Sequence, residues 1–195
     1  MNIKRLALVG VPILALAAVL PLSATAGGAQ HVQWDIISLA GGAPPGPISA
    51  GGHASAMAPG GDMITLTGEG TFVAPGSSGG SSAVTGGGTW ETSSGSGTFD
   101  VTGLVSWAPA NHQSATPAFT DNIGDLSART NGTAVLRVRF SDGQSGVLTV
   151  GCHGPGAPPG IIEGIATTKG FKTYYETEEP EPGVDANRTL FHILK

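Results

Sequence analysis

The chain has 195 residues, of which 32 are glycine, and only 12% of its residues are charged. Its formal net charge is −5, and every basic residue beyond Arg5 lies at Arg129 or later. The clustered positive charge that nucleic acid requires is therefore missing, which excludes this class of partner. The single cysteine, Cys152, excludes an internal disulfide, so packing of the core must stabilise the fold.

The first 26 residues have the pattern of a secretory signal peptide. A short basic start, MNIKR, precedes an apolar run from Leu6 to Leu22, and Ala24 and Ala26 are the small residues expected before a cleavage site. Two prolines within the apolar run disfavour a retained transmembrane helix. We therefore expect an exported protein, secreted or periplasmic, with no retained membrane span and with residues 27–195 as one domain.

Beyond the leader, the sequence predicts an antiparallel all-β fold of about eight or nine strands. Apolar and polar residues alternate along these segments, as in strands with one buried and one solvated face. In chain order the predicted strands are 31–39, 63–74, 87–92, 98–107, 133–140, 145–152, 161–167, 170–177 and 189–194. Three stretches, 40–61, 108–132 and 176–187, are expected to be irregular. The N-terminal strand and the first stretch (27–61) precede the body of the domain at 62–195.

The hairpin around Gly143 carries the most specific prediction of register. A three-residue loop that ends at Gly143, with this glycine in the left-handed conformation, pairs Leu136 with Leu148 and keeps one apolar face buried. A two-residue turn would pair Leu136 with Thr149 and lose that face. The hydrophobic pattern therefore favours the three-residue loop.

A pentapeptide of the form Gly-x-Gly-Thr-aromatic occurs three times, at Gly68–Phe72, Gly86–Trp90 and Gly95–Phe99. No helix pattern follows any copy, which excludes a phosphate-binding glycine loop. The two-residue period of a strand places both glycines and the ring of each copy on the buried face, where a neighbouring ring can cover bare backbone. We therefore expect a strongly coiled sheet that closes as a small β-barrel, with a two-sheet β-sandwich as the alternative. Continued alternation would also bury Val105.

Two features are candidates for chemistry. Glu163 lies among apolar residues and would become a general acid if it were buried, although alternation favours an outward-facing strand residue. Cys152 and His153 are ligand types for zinc or copper, but the usual local ligand spacing is absent. A buried free cysteine is the favoured interpretation. We therefore expect neither a metal nor a cofactor.

We expect a binding surface where the irregular stretch 108–132 meets the segment 152–160. Both carry polar side chains, although the aspartates of the first stretch are also typical of a plain polar turn. Aromatic rings on a β-domain are a second platform for a sugar or an apolar ligand, although core packing is the favoured interpretation of the tryptophans. The candidate ligand-binding residues are His112, Asp121, Asp125, His153, Trp90, Trp107, Tyr174 and Tyr175.

The favoured function is non-catalytic binding of a small molecule, a glycan or another surface component. One alternative is a small β-barrel enzyme, an isomerase, cyclase or hydrolase, with acid/base groups inside the barrel. Another is a structural or adhesive module, which an exposed and unpaired strand would support.

Overall fold

A computed structural model of the chain describes residues 28–39, 46–76, 79–113, 119–176 and 187–194. The predicted leader lies outside the described residues, as does most of the stretch 176–187. Within the described part of the chain, no helix has the length and hydropathy needed to cross a membrane.

The protein is all-β, as the alternation predicts. One short 3-10 turn, Leu126–Ala128, interrupts the strands. The strands are β1 (Gln30–Leu39), β2 (Pro47–Ala50), β3 (Ala54–Met57), β4 (Met63–Leu66), β5 (Glu69–Ala74), β6 (Val84–Thr92), β7 (Gly95–His112), β8 (Thr120–Asp121), β9 (Arg129–Phe140), β10 (Ser145–Cys152), β11 (Gly164–Lys169), β12 (Lys172–Glu176) and β13 (Arg188–Leu194). The described residues thus contain more strands than expected. The short strands β2, β3 and β8 lie in stretches that were predicted to be irregular, and the predicted strand 63–74 is divided into β4 and β5.

All the strands belong to one sheet, in which two circuits of hydrogen-bonded neighbours return to their starting strand. The first circuit is β1–β5–β6–β7–β9–β13–β1. The second is β3–β4–β6–β7–β9–β10–β11–β12–β3. Both circuits are antiparallel throughout and share β6, β7 and β9. Among the described strands, only the pairing of β2 with β8, at the end of the sheet, is parallel.

The bend between β4 and β5 explains how one predicted strand serves both circuits. The two strands keep a single register along β6, but β4 pairs with β3 on its other side, whereas β5 pairs with β1. The change of neighbour occurs at Gly68, whose carbonyl oxygen accepts a hydrogen bond from the Ile36 N–H at 2.8 Å. The first copy of the glycine motif therefore lies at the bend.

The rings of the glycine repeats are buried as the two-residue period predicts, whereas the first glycines of the second and third copies, Gly86 and Gly95, are exposed. The rings of Phe72, Trp90 and Phe99 are all buried. A Cβ atom on Gly70 would lie 2.9 Å from Nε1 of Trp34, and one on Gly97 would lie 2.9 Å from Nε1 of Trp90, so neighbouring rings cover bare backbone in the first and third copies. In the second copy the backbone of the first copy makes the close approach instead.

The β9–β10 hairpin confirms the predicted register. Leu136 lies opposite Leu148, and the backbone N–H of Phe140 donates to the Gln144 carbonyl at 2.8 Å to close a three-residue loop. Gly143 has φ of +87°, the left-handed conformation that the loop requires.

The prediction for Val105 is wrong, because β7 does not alternate strictly. Its register against β9 shifts three times, between Val101 and Gly103, between Leu104 and Ser106, and between Pro109 and His112. Each shift inserts an extra residue, as a β-bulge does, and exchanges the inward and outward faces. Leu104 is consequently buried, whereas Val105 is only partly covered.

Candidate functional site

The two segments that were expected to meet, 108–132 and 152–160, are in direct contact. The Asn111 side-chain N–H group donates to the Gly156 carbonyl at 2.8 Å, and the Asn131 side-chain carbonyl accepts from the Gly154 N–H at 2.8 Å. The Gln113 amide donates to Sγ of the buried Cys152 at 3.1 Å. These contacts join β7 and β9 to the loop that follows β10, beside the first and last strands of the sheet.

A cleft of about 190 Å³, which we call the inner cleft, opens at this junction. One side is apolar and is lined by Ile37, Leu39, Ile48, Phe119 and Leu190. The other side is polar and carries charge, from Gln113, Arg129, His153, Glu163 and Arg188. The strand pairing explains one part of this arrangement, since Ile37 of β1 lies directly opposite Arg188 of β13.

A second cleft, of about 520 Å³, is lined by some of the same polar residues and is called the outer cleft here. His153, Glu163 and Arg188 line both clefts. The remaining lining residues of the outer cleft are Gly160, Ile161, Ile162 and Glu176. The two clefts therefore adjoin at these three residues, which we call the partition.

Glu163 is positioned by two backbone groups, one just after β10 and one in β13. Its Oε2 accepts from the His153 N–H at 2.5 Å and its Oε1 accepts from the Thr189 N–H at 2.9 Å. β11 begins at Gly164 rather than at residue 161, so Glu163 lies in the loop before the strand and not on the outward face of one. The favoured interpretation, an outward-facing strand residue, was therefore wrong, and Glu163 is a half-buried residue whose two carboxylate oxygens accept backbone hydrogen bonds.

Glu163 is half-buried, and the removal of its carboxyl group from water raises the pKa of this group to about 7. The two backbone N–H groups and the positive charge of Arg188 oppose this rise, because they favour the ionised form, but burial has the larger effect. At neutral pH both protonation states of Glu163 are therefore populated. Such a carboxyl in a cleft is a recognised indicator of a functional site.

His153 is exposed, and its ring has a defined orientation. Nδ1 lies 2.8 Å from the carbonyl oxygen of Ile161. A carbonyl oxygen can only accept, so in the neutral ring the hydrogen belongs on Nδ1 and the lone pair on Nε2. His153 is the only one of the eight sequence-predicted ligand-binding residues that lines either of these clefts.

Asp121 forms an ion pair with Arg129, one of the residues that line the inner cleft. Its Oδ2 is 2.9 Å from Nε of Arg129 and 3.0 Å from Nε2 of His192, and all three side chains are buried. Burial opposes ionisation of Asp121, but hydrogen bonds from His192 and from the Ile123 and Gly124 N–H groups outweigh it and lower the pKa to about 2. Asp121 is thus a permanent anion that fixes Arg129.

The two remaining polar candidates lie elsewhere in the fold. Asp125 caps the 3-10 turn by accepting from the Ser127 N–H at 2.8 Å. His112 is exposed near the end of β7, where it pairs with Thr130.

The aromatic candidates are mostly core residues. Trp90 is buried beneath the Lys169 ammonium group, which lies 4.0 Å from its ring centroid. Trp107 packs edge-on against Phe191, with ring centroids 4.7 Å apart. Tyr174 is buried, whereas Tyr175 is 59% exposed on the other face of β12.

Cys152 faces the interior from the end of β10 and is buried. Burial and the nearby charge of Glu163 raise the pKa of its thiol well above the usual value. Within the described ranges, no three His, Cys, Asp or Glu side chains are grouped closely enough to hold a metal ion.

The sequence patterns did not indicate four of the cleft residues, Gln113, Phe119, Arg129 and Arg188. Arg129 and Arg188 are the first residues of β9 and β13. A charged residue at the start of an apolar strand was the sequence signal that could have identified them. Their convergence depends on the pairing of β13 with both β1 and β9, which no local pattern reveals. Comparisons with known protein families, with curated proteins and with solved structures find no match for this chain.

Proposed function

We propose that this is an exported β-barrel protein that binds a small, mainly apolar molecule carrying one oxygen-bearing polar group, a carbonyl or a carboxylate. The observation that carries the proposal is the inner cleft, where an apolar wall faces a few convergent polar groups. Ligand sites in proteins commonly combine an apolar lining with a small number of placed polar groups that fix orientation.

The size of the inner cleft limits the ligand to one or two rings. Its volume is about 190 Å³, and an apolar cavity of roughly 150 Å³ is known to hold benzene. The guanidinium groups of Arg129 and Arg188 are suited to a carboxylate or to the oxygen of a carbonyl, because charge-assisted hydrogen bonds are the stronger kind.

The two closed circuits of strands support a barrel rather than a sandwich, because each strand of a circuit is paired on both sides. Closure removes exposed sheet edges, which is how barrels avoid edge-to-edge association. The described sheet ends at β8, which has two residues. So short an edge gives the adhesive-module alternative little support. Export is supported by the leader pattern of residues 1–26.

A titration with 2-naphthoate, a two-ring carboxylate, tests the proposal. We expect saturable changes in the amide NMR signals of His153, Gly154 and Thr189, which surround the partition. Replacing Arg188 by glutamine should weaken binding about tenfold, because one charge-assisted hydrogen bond is lost. The matched control is Arg139→Gln, which removes an exposed arginine from β9 and should leave the affinity unchanged.

Two outcomes would contradict the proposed binding. One is a titration without saturable changes at the partition residues. The other is equal affinity in the Arg188→Gln and Arg139→Gln variants.

A further inference from the structure

We propose that Glu163 is a catalytic proton-transfer residue, which takes a proton from carbon in a small, mainly apolar carbonyl compound bound at the partition of the two clefts. The inference rests on the proposed function, because it uses the same cleft. It adds a reaction to the binding, and it names the class of ligand as carbonyl compounds with an acidic C–H next to the carbonyl group.

The first support is the placement of the carboxyl group. Glu163 lines both the inner and the outer cleft, so a ligand in either space can reach it. Each carboxylate oxygen already accepts one backbone hydrogen bond, from His153 or from Thr189. A carboxylate oxygen has a second lone pair, so an oxygen held in this way remains able to accept a proton. The backbone contacts fix its position, as a base requires.

The second support is the adjacent positive charge. Arg188 lines the same two clefts and is close enough to Glu163 to affect its ionisation. When a proton leaves the carbon next to a carbonyl group, negative charge develops on the carbonyl oxygen. A guanidinium group beside the bound carbonyl stabilises that charge.

The reaction balances without a cofactor. The ionised Glu163 carboxylate takes the proton, the C–H electron pair forms a C=C bond, and the carbonyl π pair moves to oxygen as an enolate facing Arg188. In a ligand that also has a C=C bond between its β and γ carbons, the enolate is conjugated, and the proton returns from Glu163 to the γ carbon. The C=O bond re-forms, and the product is an isomer of the ligand with a shifted double bond.

The charged and titratable groups around Glu163 come from four strands or the loops beside them. Cys152 and His153 lie at the end of β10, Glu176 at the end of β12, and Arg129 and Arg188 at the starts of β9 and β13. Glu176 approaches from the outer cleft, where its Oε1 accepts from the Glu163 N–H at 3.1 Å. With a pKa of about 7, Glu163 is a stronger base than an ordinary carboxylate and is still partly ionised at neutral pH.

The test uses 5-nitrobenzisoxazole, a small apolar compound in which loss of one C–H proton to a base breaks the ring N–O bond and releases a coloured phenolate. With the full chain, the second-order rate should rise with pH through a midpoint near 7, as Glu163 ionises. Glu163→Gln should lower this rate about 100-fold or more, the scale of general-base catalysis. Glu91→Gln, which replaces an exposed glutamate of β6, is the matched control and should keep the full rate.

The outcomes separate the reaction from the binding. If 2-naphthoate binds but the nitrobenzisoxazole rate does not exceed that of buffer, the proposed reaction is wrong while the proposed function stands. If the Glu163→Gln variant has the same nitrobenzisoxazole rate as the unaltered protein, the proposed reaction is also wrong. If the Gln variant fails to fold, the pH profile of the unaltered protein decides, because a midpoint below about 5 would assign the activity to an ordinary carboxylate. Loss of both binding and rate would contradict both proposals.

Discussion

Asp35, Asp121 and Glu163 have shifted pKa values, and their surroundings explain the direction of each shift. Asp121 is surrounded by donors and remains ionised, whereas burial dominates at the other two. Asp35, on β1, is 1% exposed and accepts one hydrogen bond at Oδ2, from the Gln33 side chain at 3.0 Å. Among the described residues nothing hydrogen-bonds to its Oδ1. Burial therefore raises the pKa of Asp35 to about 6.

This raised pKa makes Asp35 a destabilising residue at neutral pH. The folded protein favours the protonated carboxyl, so stability falls as pH rises from the unfolded pKa of 3.8 to the folded value of about 6. We predict that Asp35→Asn increases the free energy of unfolding by roughly 2 kcal/mol at about pH 7.5 and that the gain disappears near pH 4. Urea unfolding at the two pH values measures the difference.

Asp100→Asn, an exposed aspartate of β7, is the control for Asp35→Asn and should change stability by less than about 0.5 kcal/mol. An Asp35→Asn variant that is less stable at about pH 7.5 would show that the carboxylate is held as an ion. His192, whose charge favours ionisation of Asp35, would be its partner.

The sequence identified Glu163 as a residue of interest but could not show what surrounds it. Its apolar neighbours along the chain were visible, whereas its partners, the His153 and Thr189 N–H groups, come from separate parts of the chain. The alternation also predicted a strand position for Glu163, which is wrong because β11 begins one residue later, at Gly164. A periodic pattern predicts which face of the sheet a side chain lies on only within a regular strand.

At the scale of the strand, the two-residue period predicted the buried rings of the glycine repeats and the β9–β10 register. The two-residue period gave wrong predictions where the alternation of inward and outward residues is interrupted. The bulges of β7 insert residues that leave no local signal, and the short strands β2 and β3 lie in a segment rich in glycine, proline and alanine. Their formation depends on pairing with β1, β4 and β12 rather than on intrinsic propensity.

The second glycine copy allows a close approach between β6 and the bend after β4. A Cβ atom on Gly88 would overlap the carbonyl oxygen of Thr67 and lie 2.7 Å from the Gly68 Cα. We predict that Gly88→Ala lowers the free energy of unfolding by roughly 2 kcal/mol, because backbone must move to make room. Thermal or urea unfolding measures this loss.

Gly79→Ala is the control for the Gly88 variant, since a Cβ atom there would meet nothing within 4 Å. If both variants had the same stability, the glycines of the repeat would not be needed for close packing of the sheet.

At the scale of the whole molecule, the site depends on pairing between distant parts of the chain. The first and last strands are neighbours through seven residue pairs, from His31 with Leu194 to Ile37 with Arg188. This pairing brings the apolar residues of β1 beside Arg188 and the Thr189 N–H that holds Glu163. The composition and periodicity of the sequence predicted an all-β fold, but local patterns do not specify which distant strands pair. The leader and the export that it implies stay predictions.

The most direct test of this account is an NMR pH titration of the Glu163 side-chain carboxyl carbon, with and without 2-naphthoate. The account predicts a midpoint near pH 7 in the free protein. It also predicts a higher midpoint with the ligand, because an anion beside Glu163 favours the protonated carboxyl and linkage is reciprocal. A midpoint near the ordinary value of about 4.3 that the ligand does not move would contradict both the shielded carboxyl and the ligand site.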